Sequence, residues 1–212
     1  MPNMQRLTRR GIALHAGKLP GYPASHGCIR LPHKFSTLLF GATQLGMTVV
    51  ITEIAALPQG SGTPDVAVQS VASDQNPLAL AAYEWHPERS TDGIVSVVIS
   101  VADQRALVMR DGVEIGSAPV RVGGDVDGAT AYVLRAWDNS GMHWLKLRFS
   151  GSGEGMEVGS DEGKRFQAPT SFRTAVATIL RPGSVVIVTP ESLGAGSPGK
   201  ALTVLEDQDS SR

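Results

Sequence analysis

A mixed α/β fold in which β-structure predominates is what this chain predicts, and three observations carry the prediction. Glycine and proline are frequent, 24 and 13 of 212 residues, which implies many turns. Most apolar segments are short runs of strand length bounded by turn residues, and only two stretches carry helical spacing. Hydrophobic residues make up 42% and charged ones 18%, the balance of a chain that buries a core rather than staying disordered.

The elements follow in order. Residues 7–16 read as a short strand that enters a Gly/Pro-rich loop over 17–27. A helix is expected from Pro32 to about Phe40, with apolar residues at Phe35, Leu38, Leu39 and Leu45 along 33–45. Gly46 stops it, and 47–52 is a strand of the buried type. Residues 58–77 have linker composition. Strands are then expected at 93–101 and 105–110, and Asp111-Gly112 is a strong hairpin signal before 113–115. Further strands fall at 130–136 and 143–149, followed by an acidic Gly-rich loop over 151–163. A helix near 170–180 and a strand over 184–189 close the sequence.

That ending repeats the beginning. A shift of 137 residues aligns Phe35 with Phe172, Thr37 with Thr174, Gly46 with Gly183, Val49 with Val186 and Thr52 with Thr189. It takes Cys28 to Arg165, and neither Cys nor His occurs after His143, so a second copy would lack the first one's chemistry. The expected organisation is a catalytic segment at 1–57, a linker at 58–77, a second β-rich domain at 78–204 and a tail at 205–212.

The net charge of −1 is unevenly spread. No acidic residue precedes Glu53, whereas Arg6, Arg9, Arg10, Lys18, Arg30 and Lys34 supply six positive charges. A basic segment stabilises a thiolate and attracts carboxylate-bearing substrates, although acidic partners from elsewhere in the fold would account for it equally. Nucleic acid is a poor partner, because Tyr22, Phe35 and Phe40 form no aromatic-basic platform. No apolar run approaches a transmembrane segment, and the brief apolar stretch after Arg10 is too short for a secretory signal.

Cys28 is the only cysteine, which excludes an intrachain disulfide. It lies two residues after His26 and within reach of a chain reversal from His15. Only a thiolate attacks a carbonyl, so a thiol of ordinary pKa needs an imidazole to take its proton. The roles read from this pattern are Cys28 as nucleophile and His15 as base. The N–H groups of Gly27 and Cys28 are expected to form an oxyanion hole, and Arg30 to position a carboxylate or brace the loop. A buried structural cysteine is the alternative. The spacing of His15, His26, Cys28 and His33 matches no common zinc signature, so neither metal nor cofactor is expected. His33 reads as a surface helix residue, and His86 and His143 show no evident partners. Asp125 and Asp127 read as a turn rather than a calcium loop.

The run from Met4 through Thr8, then Gly11 through Gly17 and Leu19 through Pro32, with Ser25-His26-Gly27-Cys28 at its centre, resembles the catalytic half of an L,D-transpeptidase of the YkuD family. The resemblance spans about residues 1–55 and implies a partial β-sandwich-type catalytic domain. By it, Cys28 is the nucleophile and His15 the proton acceptor, while Ser25, His26, Gly27 and Arg30 shape the site. It implies peptidoglycan stem peptides as partners, a thioester on cysteine, cross-link formation in the cell envelope or periplasm, and acylation by carbapenems.

Members of that family place several strands before this motif, which here begins at the first residue. Residues 95–122 resemble those opening strands. One expected organisation is the rear of a catalytic domain followed by a degenerate second copy, with Met1 internal to a longer protein. The other is a permuted single domain. The helix-Gly-strand repeat favours the first, because permutation needs one copy only. The competing functions are another cysteine acyltransferase or carboxypeptidase, and an inactive fragment or cell-wall-binding module.

Overall fold

Proline 32 sets up the first helix. Its φ of −52° suits helix entry, its missing N–H is not needed there, and its carbonyl accepts the Ser36 N–H at 2.8 Å. The structure, a computed structural model, describes residues 1–7, 12–22, 25, 27–51, 58–61, 63–64, 77–78, 80–124, 126–149 and 166–193. Its contacts divide these into two units that meet in sequence between Gln44 and Leu45. The expected loop at 151–163, the tail at 205–212 and much of the linker at 58–77 lie outside the described residues.

The first unit is a three-stranded sheet with one helix. β1 (Gln5–Arg6) runs antiparallel to β2 (Ala13–Ala16), which runs parallel to β3 (Ile29–Leu31), so β2 is central. All four residues of β2 are buried. β3 leads through Pro32 into α1 (His33–Ala42), and Asn3 Nδ2 donates to Thr37 Oγ1 at 3.0 Å, tying the N-terminus to that helix.

The second unit holds the larger core. β4 (Gln59–Ser61), β5 (Glu84–Trp85), β6 (Val95–Ser100), β7 (Arg105–Arg110) and β8 (Val113–Pro119) are followed by β9 (Arg121–Val122), β10 (Thr130–Asp138) and β11 (Gly141–Arg148). β12 (Phe166–Gln167), α2 (Thr170–Ile179) and β13 (Val185–Thr189) complete it. Eight strands form one sheet in the order β4-β11-β10-β13-β6-β7-β8-β5, and β9 pairs with β12 separately. β13 is inserted parallel to β6 and antiparallel to β10, so its backbone groups are paired on both sides. Asp111 and Gly112, with φ of 51° and 76°, make the tight turn from β7 to β8, as that dipeptide predicts. Phe172, Val176 and Leu180 of α2 and its end pack on Val97, Ile99 and Val108, and the Tyr83 and Trp85 rings meet Phe172 edge-on.

The mixed, mainly β architecture thus agrees with the sequence expectation. The elements also coincide under the 137-residue shift. Pro32 and Pro169 precede α1 and α2, whose ends match residue for residue, and Gly46 and Gly183 both adopt positive φ, 80° and 95°. At Gly46 a side chain would also strike the backbone of Asp111.

Three expectations need correction. Residues 47–51 form no strand: Ile51 is 67% exposed, whereas its counterpart Val188 in β13 is 2% exposed. A strand apolar on both faces is stable only with neighbours on both edges, which β13 has in β6 and β10. Nor does Gly46 stop α1, which ends at Ala42 with Thr43 as its C-cap; the apolar spacing of the helix also lines no core. Phe35 is 52% exposed where Phe172 is fully buried, and the residue α1 buries is Ser36.

Candidate active site

The parallel pairing of β2 with β3 puts His15 opposite Arg30, and Leu14 opposite Ile29. Paired residues of neighbouring strands share a sheet face, and side chains two apart along a strand share one as well. Cys28 immediately precedes β3, two residues before Arg30, the register partner of His15.

His15 is 8% exposed, and its Nδ1 lies 2.8 Å from the carbonyl oxygen of Ala16. A carbonyl only accepts, so Nδ1 carries the proton in this bond. The neutral ring therefore keeps its lone pair on Nε2, the tautomer that a proton acceptor needs. Burial and the fixed carbonyl together hold the ring in one orientation.

Ahead of Cys28 the chain turns sharply. Gly27 has φ of 137°, a conformation side chains avoid, and a Cβ there would lie 3.3 Å from Ile12 Cγ1. Ser25 Oγ accepts the Cys28 N–H at 3.0 Å, closing the turn through a side chain. The Cys28 N–H expected in an oxyanion hole is thus engaged by Ser25 Oγ.

Ser25, Gly27, Cys28 and Arg30 line one open cleft of about 420 Å³, whose other wall is Leu19, Pro20, Gly21 and Tyr22. Cys28 and Arg30 are half-buried, and Ser25 is exposed. His15 does not line this cleft but stands on the adjoining strand. His26 lies outside the described residues. The arrangement brings a half-buried cysteine and an arginine to the lining of one cleft, with an imidazole of defined tautomer on the adjoining strand.

Two features escaped the sequence. The Ala16 carbonyl that orients His15 is backbone and leaves no letter to read. The sequence puts Leu19 to Tyr22 in the Gly/Pro-rich loop over 17–27 without marking them as cleft residues, which they are.

The remaining histidines sit elsewhere. His33 is exposed at the start of α1, and His86 Nδ1 pairs with Glu88 at 3.2 Å. His143 Nε2 lies 3.0 Å from Asp138 Oδ2 and 3.1 Å from Ser140 Oγ on the β10–β11 turn. The Ser140 hydroxyl, then His143, hold the Asp138 carboxyl well below its ordinary range. Serine and aspartate approach the same ring nitrogen, so this exposed trio locks a turn rather than relaying a proton. Asp125 lies outside the described residues, and among the described residues no group of three or more His, Cys, Asp or Glu is arranged to hold a metal.

Comparison with known families and proteins adds one match. The family model for YkuD, the L,D-transpeptidase catalytic domain, matches residues 1–51, which include every residue of the cleft. Curated proteins and solved structures give no match. The match points to the L,D-transpeptidase type of enzyme over that segment, and the described residues contain no helix long and apolar enough to cross a membrane.

Proposed function

We propose that the first unit performs L,D-transpeptidase acyl transfer through Cys28. His15 Nε2 takes the thiol proton, and the sulfur attacks the carbonyl preceding the terminal D-alanine of a peptidoglycan stem peptide. The tetrahedral oxyanion collapses, the C–N bond breaks, and the D-alanine amine leaves with the proton that His15 returns. The stem remains as a thioester. An amine of a second stem then attacks, passes its proton to His15, and expels the Cys28 sulfur, which recovers that proton as the cross-link forms. Water as acceptor gives carboxypeptidase activity instead.

The observation that carries this reading is the hydrogen bond from His15 Nδ1 to the Ala16 carbonyl, which leaves Nε2 as the accepting nitrogen, on the strand next to the one Cys28 leads into. The family match over residues 1–51 supports the substrate class. Arg30, on the cleft wall, is assigned to a substrate carboxylate, Gly27 and Ser25 shape the turn before Cys28, and His26 is assigned to the same site by the resemblance alone. Stem peptides locate such an activity in the cell envelope. The second unit is read as a duplicate without the chemistry, since the 137-residue shift replaces Cys28 by Arg165.

Incubation with a carbapenem followed by intact-mass measurement tests the proposal. Opening of the lactam by the thiolate adds the whole drug mass to the wild type and nothing to Cys28→Ala. A folded wild type that gains no mass contradicts it.

A further inference from the structure

Gly17, one residue beyond β2, faces two side chains of the site. A Cβ there would lie 3.3 Å from Arg30 Cδ, 3.4 Å from Arg30 Cγ and 3.6 Å from His15 Cε1. The His15 distance is ordinary contact, whereas the Arg30 stem would have to move. The backbone at this point is tethered. Gly17 N–H donates to the Leu31 carbonyl at 3.2 Å, and Ala16 N–H donates to the Pro2 carbonyl at 3.0 Å. Backbone conformation does not demand glycine here, because Gly17, unlike Gly21 and Gly27, is not in the positive-φ region. What glycine supplies at this position is space.

That space is filled by the methylene stem of Arg30, and the same arginine lines the cleft with Cys28. We infer that Gly17 is a positioning residue: its bare α-carbon is the slot that seats the Arg30 stem, and so sets where the charge of this arginine lies in the cleft it lines with Cys28, favouring carboxylate-bearing substrates. The inference deepens the acyl-transfer reading and rests on it for its substrate. A Cβ at position 17 makes the stem give by a few tenths of an ångström, a larger side chain by more, and the guanidinium shifts with it. His15, touched only at ordinary distance, keeps its place.

Alkylation of Cys28 by iodoacetate and by iodoacetamide tests this on the full chain without a peptidoglycan substrate. In both reactions the sulfur forms a bond to the CH2 carbon and iodide leaves with the electron pair of the broken C–I bond. The reagents differ in charge, so the ratio of their rates cancels thiol reactivity and reports the local potential. Arg30→Gln is expected to lower the iodoacetate preference by roughly threefold or more, the effect of one screened charge several Å away. Gly17→Val, which fills the slot, lowers it nearly as far, and Gly17→Ala lowers it less. In the Arg30→Gln background neither substitution changes the ratio further.

The inference is overturned if Arg30→Gln leaves the ratio unchanged, or if both Gly17 variants match the wild type. It is equally overturned if their effect persists undiminished without Arg30. Should circular dichroism show Gly17→Val unfolded, the Gly17→Ala ratio decides alone. Failure of the acyl-transfer reading shows separately, as a wild type that no carbapenem acylates while the alkylation ratio still responds to Gly17.

Discussion

With Nδ1 committed to the Ala16 carbonyl, Nε2 is the His15 nitrogen left to accept a proton in the proposed reaction. Glutamine at this position retains a polar head but offers no nitrogen lone pair of comparable basicity. His15→Gln should therefore lower acyl transfer at neutral pH by about 10²–10⁴-fold, the usual worth of a positioned general base. Stopped assays across pH provide the check. The deficit should shrink toward alkaline pH, where hydroxide replaces the ring as proton acceptor. A deficit constant across that range would mean that the ring does something other than accept the proton. At this scale the sequence was readable where chemistry dictates residue type. A thiol beside Gly27, two imidazoles and an arginine are letters, whereas the Ala16 carbonyl and the empty space at Gly17 are properties of the folded backbone.

Among the elements, α1 and α2 have matching lengths and the same preceding proline, yet opposite burial. Phe172 is fully enclosed by the β6–β8 region with the Tyr83 and Trp85 rings against it, so Phe172→Ala should destabilise the second unit by about 3–5 kcal/mol. Phe35 is half out in solvent, and Phe35→Ala should change stability by no more than about 0.5–1 kcal/mol. Denaturant titration followed by tryptophan fluorescence reads the Phe172 effect directly, since Trp85, Trp137 and Trp144 all belong to that unit. Circular dichroism of the same samples checks Phe35. Equal losses at the two positions would contradict the burial difference. The helix starts were legible from proline and spacing, but each helix ends four residues before the glycine that follows it. Burial was not, because the same apolar spacing serves a packed helix and an unpacked one. Likewise 47–51 and β13 share an apolar pattern, but only β13 lies between two partner strands.

For the whole molecule, charge is segregated along the chain: six basic and no acidic residues precede Glu53, and acidic residues outnumber basic ones thereafter. A field of that sign accelerates anionic reagents and is screened by salt. Cys28 alkylation by an anionic reagent should slow as ionic strength rises from about 0.01 to about 0.15 M, where the screening length falls from roughly 30 to 8 Å. A neutral reagent should react at an unchanged rate, and parallel slowing of both would remove the electrostatic account. Charge was readable from sequence, as was the placement of thiol and imidazole ahead of a chain with no further cysteine. The pairing of β2 with β3, which sets His15 against Arg30, required the fold. The central claim is that Cys28 carries a stem peptide as a thioester, and a stem tetrapeptide ending in D-alanine tests it most directly. One turnover, quenched in acid, should release one D-alanine per protein and leave the remaining tripeptide mass on the wild type but not on Cys28→Ala. D-alanine release that persists in Cys28→Ala, or a folded wild type that neither releases it nor gains mass, would contradict the claim.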